Sequence, residues 1–175
     1  MTRTARILSG GALAWALGVT VARTVRPPND FAEAHWLLDY RFGFIRRGLA
    51  GSVLRELSAF GTTLQTESAI ATVSYGVFAA LCLALLAVML RIAARTRWCP
   101  HTLLVLAAFA TSPFVITNAH LMGYLDHVVY LLALGAVWAT LRGRTWIGAA
   151  LAAISVLVHE TTLVVALPLL AMATW

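Results

Sequence analysis

The residues best suited to chemistry begin with a short run that combines one carboxylate with several guanidinium groups. Asp39 is followed by Arg41, Arg46 and Arg47. Adjacent arginines can bind a phosphate through paired N–H donors, and a carboxylate within reach can act as a general base or hold a metal ion. We therefore predict a lipid-phosphate site at the three arginines, with Asp39 as catalytic base or as ligand of a divalent metal ion, the one cofactor that the pattern suggests. The alternative is a membrane-surface cap whose arginines only touch lipid phosphates.

A second candidate pair, His159–Glu160, interrupts the long apolar run of residues 146–175. Ionisable side chains within such a run are costly to bury and tend to face a cavity or a partner. We therefore predict a catalytic role for both, and the alternative is a buried pair bonded to a neighbouring helix. The pair is not part of a zinc-protease motif, because Leu163 stands where that motif requires its second histidine.

Asp126 is the third candidate position, next to His127 at the start of a predicted helix. Tyr124 adds a hydrogen-bonding group to the same turn. A carboxylate at a helix N-terminus is also favoured by the helix dipole, so a structural role is the alternative. We predict that Asp126 lies with His159 and Glu160 in one polar cavity and shares their catalytic role.

The composition indicates that these residues belong to a membrane protein. Of the 175 residues, 61% are hydrophobic and only 11% are charged, against about 25% charged in soluble domains. The formal charge of +6 does not indicate nucleic-acid binding, because the arginines are scattered at the ends of apolar runs and form no basic face. We predict an integral membrane protein in contact with membrane lipids.

Spanning the hydrocarbon takes roughly 20 apolar residues in a helix. Several runs approach that length, and the last is divided at His159. The sequence therefore predicts an all-α integral membrane fold with about five to six transmembrane helices, and residues 1–175 form a single transmembrane domain. The predicted runs are residues 5–21, 68–90, 102–116, 124–141 and 146–175.

The segment of residues 27–60 is predicted to be a helical loop lying in the membrane interface. Pro27–Pro28 ends the first helix, and either Asn29 or Asp30 can cap a second one. A further amphipathic helix is predicted from Arg46 or Arg47 to Phe60, because its apolar residues recur on one face.

The charges at the helix ends predict the orientation. One set of ends carries arginines and no acidic residue, and the other carries all the acids. Because cytoplasmic segments are enriched in Arg and Lys, we predict a multi-pass protein of the cytoplasmic (inner) membrane with a cytoplasmic N-terminus and the first loop outside. The arginine-only ends hold Arg3, Arg6, Arg91, Arg95, Arg97, Arg142 and Arg144.

Three segments together resemble a known family: Trp36–Gly51 (WLLDYRFGFIRRGLAG), Gly123–Asp126 (GYLD) and His159–Glu160. The sequence is similar to bacterial multi-pass proteins of envelope polysaccharide assembly, namely GT-C type glycosyltransferases that use polyprenyl-phosphate-linked sugars. The resemblance implies an inverting sugar transfer at the outer face of the membrane. It also implies an essential acidic residue in the first outer loop, either Asp39 or Asp30, and Asp39 is preferred for its arginine-rich surroundings.

Such enzymes have many more spans, so we expect this chain to be the N-terminal portion of a longer protein or to work with other membrane subunits. Two alternatives to an enzyme stay open. The first is a non-enzymatic subunit that handles or flips lipid-linked glycans, using the same arginines without a general base. The second is a structural membrane partner anchored by its loop.

Overall fold

The computed structural model describes residues 1–43, 47–59 and 64–173. In these ranges the chain forms nine α-helices and a 3-10 turn, and they contain no β-strand, so the predicted all-α membrane fold is confirmed. The helices are α1 (Arg3–Thr24), α2 (Asp30–Leu37), α3 (Gly48–Ser58), α4 (Glu67–Arg95), α5 (Pro100–Ala110), α6 (Pro113–His120), α7 (Asp126–Leu141), α8 (Thr145–Val158) and α9 (Thr162–Ala173), with the 3-10 turn at Tyr40–Phe42.

Within the described residues, three stretches of helix are long and apolar enough to cross a membrane. These are α1 with 22 residues, α4 with 29, and α5 with α6 over the 21 residues Pro100–His120. The helices α7, α8 and α9 are apolar but shorter, with 16, 14 and 12 residues. They correspond to the remaining predicted runs, and each falls short of the roughly 20 residues that cross the hydrocarbon unaided.

The chain divides into two compact units. Unit 1 consists of Met1–Pro27 and Phe78–Met122, and unit 2 consists of Pro28–Val77 and Gly123–Trp175. The long helix α4 contributes its first part to unit 2 and the rest to unit 1. That residues 1–175 act as one transmembrane domain stays a prediction.

The largest core cluster of unit 1 consists of apolar side chains. Leu13 and Leu17 of α1 pack with Met89 of α4 and with Leu106 of α5, and all four are buried. Other apolar side chains of α1, such as Trp15, are exposed, as expected for a surface that lipid solvates. An apolar cavity of about 410 Å³ lies between α1 and α5.

The first helix of unit 2 is α2, the helix that the sequence predicted to be capped by Asn29 or Asp30. The side chain of Asn29, one of the two predicted caps, accepts a hydrogen bond from the N–H of Ala32 at 2.8 Å, which satisfies a free donor of the first turn. The predicted amphipathic helix is present as α3, and its predicted ends at Arg46 and Phe60 lie outside the described residues.

The backbones of α2 and α3 approach each other closely at Gly51. A Cβ atom added at Gly51 would collide with the carbonyl group of Leu38 and lie 3.0 Å from the carbonyl oxygen of Trp36. Only glycine fits at this position, so the contact fixes α3 against the end of α2. The two helices that flank the first-loop candidates are therefore in close backbone contact.

The core of unit 2 connects this pair to α7 and α8. Trp36 of α2, Leu54 of α3, Val129 of α7 and Val158 of α8 are buried together. The indole N–H of Trp36 donates a hydrogen bond to the carbonyl oxygen of Gly123 at 2.6 Å. The core therefore brings the first loop, the start of α7 and the end of α8 to one place.

Candidate functional site

The break between α8 and α9 is made by hydrogen bonds of its own side chains. His159 leaves the helix in an extended conformation, and the hydroxyl of Thr162 donates to the His159 carbonyl oxygen at 2.8 Å. The hydroxyl groups of Thr162 and Ser155 are 2.7 Å apart in the buried interior. Threonine and serine side chains compete in this way with helical hydrogen bonds, so the helix stops and presents Glu160 at the turn.

Arg47 is the central residue of the candidate site. It precedes α3 in a left-handed conformation, with φ +66°, which is uncommon for a residue other than glycine and is concentrated at functional positions. Its Nη1 atom is 3.0 Å from Nε2 of His35. Its Nη2 atom donates to Oε1 of Glu160 at 3.0 Å, and its Nε is 3.5 Å from Oε2 of the same carboxylate. One arginine thus joins the first loop to the α8–α9 turn.

His35 is buried, with 4% of its surface exposed. Its ring packs edge-on against Phe31 and Tyr124, with centroid separations of 4.7 and 5.7 Å. Because Arg47 can only donate, Nε2 of His35 must accept, and the ring proton lies on Nδ1. That Nδ1 atom is buried, and the described residues offer it no hydrogen-bond partner.

The protonation state of His35 follows from its surroundings. Burial lowers its pKa, and the positive charge of Arg47 and the presence of His159 lower it further. Asp126 and Glu160 act in the opposite direction with smaller effects. His35 is therefore neutral at pH 7, which lets it accept the hydrogen bond from Arg47.

Glu160 is the more accessible partner of Arg47, with 43% of its side chain exposed. Its hydrogen bond with Arg47 is the main reason that its pKa falls from 4.5 to about 2. Glu160 is consequently a carboxylate at neutral pH. As long as Arg47 holds it, it is also a weak acceptor for a proton.

His159 has a defined tautomer. Its Nδ1 accepts a hydrogen bond from the N–H of Thr161 at 3.1 Å, so the proton of the neutral ring lies on Nε2, where it can donate. The same Nδ1 lies 3.8 Å from Oε2 of Glu160. We use the name Arg47 site for His35, Arg47, His159 and Glu160, which contact one another, together with Asp126, which acts on His35 through its negative charge.

Asp39 makes a different set of contacts. Its carboxylate is fully buried and accepts hydrogen bonds from the N–H of Arg41 at 2.9 Å and from its side-chain Nε at 2.8 Å. Nη1 of Arg55 is 3.5 Å away. The hydrogen bonds from Arg41 hold the pKa of Asp39 below its usual value. The carboxylate therefore stabilises the 3-10 turn that it caps and its attachment to α3.

The predicted site residues thus fall into two groups. Arg47, Asp126, His159 and Glu160 belong to the Arg47 site, whereas Asp39 and Arg41 pair with each other. Arg46 lies outside the described residues. A metal site receives no support from the donor set: the described residues contain no group of three or more His, Cys, Asp or Glu side chains that could hold a metal ion. The oxygens of Asp39 face arginines.

Sequence reasoning missed two residues, His35 and Arg55. His35 stands one turn after Phe31 on a predicted helix, which was the available signal, but nothing in the spacing connected it to Arg47. Arg55 lies on α3, and its side chain reaches Asp39, which is 16 positions away and has no local signal.

Comparison with known proteins gives one match. A family model described as "Uncharacterised membrane protein Rv1490" covers residues 7–173, which is nearly the whole chain and includes the entire Arg47 site. No curated protein and no solved structure matches the chain. The match identifies a family of membrane proteins, and the chemistry of the site has to be inferred from its geometry.

Proposed function

The chain belongs to the Rv1490 family of membrane proteins, and we propose that it binds a polyprenyl-phosphate-linked sugar and transfers the sugar at the outer face of the cytoplasmic membrane. The observation that carries this proposal is the Arg47 site. A guanidinium group, a half-exposed carboxylate and two imidazoles meet there, outside the three helical stretches of the described residues that are long enough to span the membrane.

The phosphate is the part of the ligand that the site fits best. Nε and Nη2 of Arg47 form a two-pronged donor edge toward Glu160, and this edge matches the oxygens of a phosphate equally well. Nε2–H of His159 can supply a further donor. A hydrophobic carrier is favoured because the site belongs to a chain whose outer surface is largely apolar and contacts lipid.

The transfer step needs a proton acceptor beside the bound donor. A hydroxyl oxygen of the acceptor forms a bond to the anomeric carbon of the sugar, and the bond from that carbon to the phosphate oxygen breaks. The electron pair leaves with the lipid phosphate, where Arg47 stabilises the negative charge, and the hydroxyl proton passes to Glu160. We assign this role to Glu160 because the oxygens of Asp39 are engaged by Arg41 and Arg55.

The roles of the other residues follow from their contacts. Asp39 acts as a positioning residue, since it caps the 3-10 turn at Tyr40–Phe42 and lies beside Arg55 of α3. Asp126 acts on His35 through its negative charge, which opposes the lowering of the His35 pKa. The location at the outer face rests on the distribution of arginines at the helix ends, and it belongs to the same proposal.

The experiment that tests the function is sugar transfer by purified protein in lipid vesicles supplied with undecaprenyl-phosphate-linked sugars. Glu160→Gln is expected to lower the rate by about 100-fold or more, the usual contribution of a general base, while binding of undecaprenyl phosphate is retained. Arg47→Ala is expected to lose transfer and to bind undecaprenyl phosphate about 100-fold more weakly. Transfer at the wild-type rate by Glu160→Gln would contradict the proposed role.

One observation favours a second candidate, a membrane subunit that binds lipid-linked glycans without catalysing transfer. The two best-placed carboxylates, Asp39 and Glu160, are both held as ion pairs with pKa values below normal, which makes them weak bases. In that case Arg47→Ala abolishes lipid binding, and no sugar transfer accompanies binding in the wild type.

A further inference from the structure

The two edges of the Arg47 guanidinium group have partners of different kinds. Nη1 faces Nε2 of His35 at 3.0 Å. Nη2 and Nε face the two oxygens of the Glu160 carboxylate at 3.0 and 3.5 Å. The second edge is the one whose parallel N–H donors match carboxylates and phosphates alike.

These partners also differ in how easily they can be exchanged. His35 is 4% exposed and is wedged between Phe31 and Tyr124, so removing it from Arg47 would leave buried polar atoms unpaired. The Glu160 side chain is 43% exposed, so water can solvate its carboxylate once it leaves the arginine. Ion pairs of this accessible kind contribute little to stability and are readily exchanged.

We propose that Glu160 occupies the phosphate-binding edge of Arg47 as an internal substitute for phosphate, and that the phosphate group of the lipid displaces it. This inference rests on the proposed function, because it takes the ligand to be a phosphate. His35 keeps the guanidinium group in place during the exchange. In the lipid-linked sugar the phosphate is a diester with one negative charge, like the carboxylate, and in the lipid phosphate left after transfer it is a monoester with more charge and more acceptor oxygens. Both forms can therefore compete with Glu160 for this edge.

Displacement also explains how a carboxylate with a lowered pKa can serve as a base. The hydrogen bond with Arg47 is the largest cause of the low pKa of Glu160. Once a phosphate takes over Arg47, this cause is removed and the added negative charge nearby raises the proton affinity of Glu160. Binding of the lipid-linked sugar then frees the Glu160 carboxylate from Arg47 in the same event. The carboxylate is left beside the bound phosphate, where it can accept a proton.

The test is equilibrium binding of radiolabelled undecaprenyl phosphate to the purified full chain in detergent. Undecaprenol, which lacks the phosphate, and inorganic phosphate serve as competitors, so that the contributions of the carrier and of the phosphate are measured separately. Glu160→Gln and Glu160→Ala remove the internal competitor in two ways. Glu56→Gln is the matched control, because it removes one carboxylate from an exposed arginine pair of unit 2, Arg55–Glu56.

We expect both Glu160 variants to bind undecaprenyl phosphate about tenfold more tightly than the wild type, since an ionic competitor is lost. Glu56→Gln should bind like the wild type. Undecaprenol should compete equally weakly in all proteins, and inorganic phosphate should compete better in the Glu160 variants.

The outcomes that would contradict this inference can be told apart from those that would contradict the proposed function. Wild-type binding that the Glu160 variants leave unchanged or weaken would overturn this inference and leave the lipid-phosphate proposal standing. Equal tightening by Glu56→Gln would show a general charge effect and would also overturn it. Absence of binding in the wild type and in both Glu160 variants would overturn the proposed function together with the inference.

Discussion

Unit 1 and unit 2 carry similar numbers of arginines and differ in their acids. Unit 1 has seven arginines and no acidic residue, whereas unit 2 has six arginines and all seven acids of the chain. No arginine of unit 1 can therefore pair with a carboxylate of its own unit. In unit 2, Arg41, Arg47 and Arg55 all do so. Only in unit 2, therefore, can an arginine have a carboxylate partner within its own unit.

Among the described glycines, the closest approaches to other parts of the chain lie in unit 2. A Cβ atom added at Gly51 would collide with backbone, and one added at Gly123 would lie 2.9 Å from Cβ of Pro28. In unit 1 an added Cβ atom would meet nothing within 4 Å at Gly11, and at Gly10 it would meet a side chain at 3.4 Å. Gly51 and Gly123 therefore hold contacts in unit 2 that a larger residue would disturb.

Replacing Arg47 should give the largest effect on ligand binding. We expect Arg47→Ala to weaken binding of undecaprenyl phosphate by about 100-fold, since the two-pronged donor edge is lost. Arg47→Lys should weaken it nearly as much, because lysine keeps the charge without the edge. Arg6→Ala, an exposed arginine of unit 1, is the control and should bind normally. Equal losses for the Arg47 and Arg6 variants would erase the distinction between the units.

Adding one methyl group should destabilise the protein when it is placed in unit 2 and not when it is placed in unit 1. Gly51→Ala is expected to lower the free energy of unfolding by roughly 2 kcal/mol or more, because the backbones of α2 and α3 must move apart. Gly11→Ala should be neutral or stabilising by up to about 1 kcal/mol, since it only improves helix propensity. Unfolding by sodium dodecyl sulfate in mixed micelles measures both. A harmless Gly51→Ala would mean that the close contact is not maintained in solution.

Removing one indole N–H group should lower the free energy of unfolding by a smaller amount. Trp36→Phe deletes the buried hydrogen bond to the Gly123 carbonyl group, which should cost roughly 1–2 kcal/mol of unfolding free energy. Trp15→Phe is the matched change in α1 of unit 1, where the side chain is 74% exposed, and it should change stability by less than about 0.5 kcal/mol. The same unfolding assay applies, and equal effects would argue against a special role for the Trp36 hydrogen bond.

The smallest expected effect is the pH dependence of the Arg47–Glu160 pair. Folding lowers the pKa of Glu160 from 4.5 to about 2, so the stabilisation is fully present above pH 4.5 and is lost as the pH falls toward 2. Because the pair is partly exposed, we expect only about 0.2–1 kcal/mol. The Tm difference between wild type and Glu160→Gln should be constant from pH 7 to 5 and should shrink below pH 4.5. A difference that grows on acidification would have the wrong sign.

Much of the fold could be predicted from apolar run length and turn residues. The runs at residues 5–21 and 68–90 fall within α1 and α4, and Pro27–Pro28 followed by Asn29 correctly located the start of α2. The long run after residue 146 was correctly divided at His159, where the polar pair ends α8. These features depend on local sequence, which a single chain displays directly.

The candidate site was predictable only as a set of residue types. The sequence indicated Arg47, His159 and Glu160, but the pairing of Arg47 with Glu160 spans 113 positions and has no local signal. The hydrogen bond between Trp36 and Gly123 spans 87 positions and has no local signal either. Asp39 looked like a free carboxylate among arginines, and only the folded turn shows that Arg41 and Arg55 engage it. Periodicity cannot reveal such contacts, because an apolar helix presents similar residues on every face.

The measurement that most directly tests where the lipid phosphate binds is photo-crosslinking. An undecaprenyl phosphate analogue with a diazirine next to the phosphate is bound to the full chain, and the labelled peptides are identified by mass spectrometry. We predict labels in unit 2, concentrated near Arg47 and Glu160, and their loss in Arg47→Ala. Labels confined to residues 1–27 and 78–122 would contradict a phosphate site at Arg47.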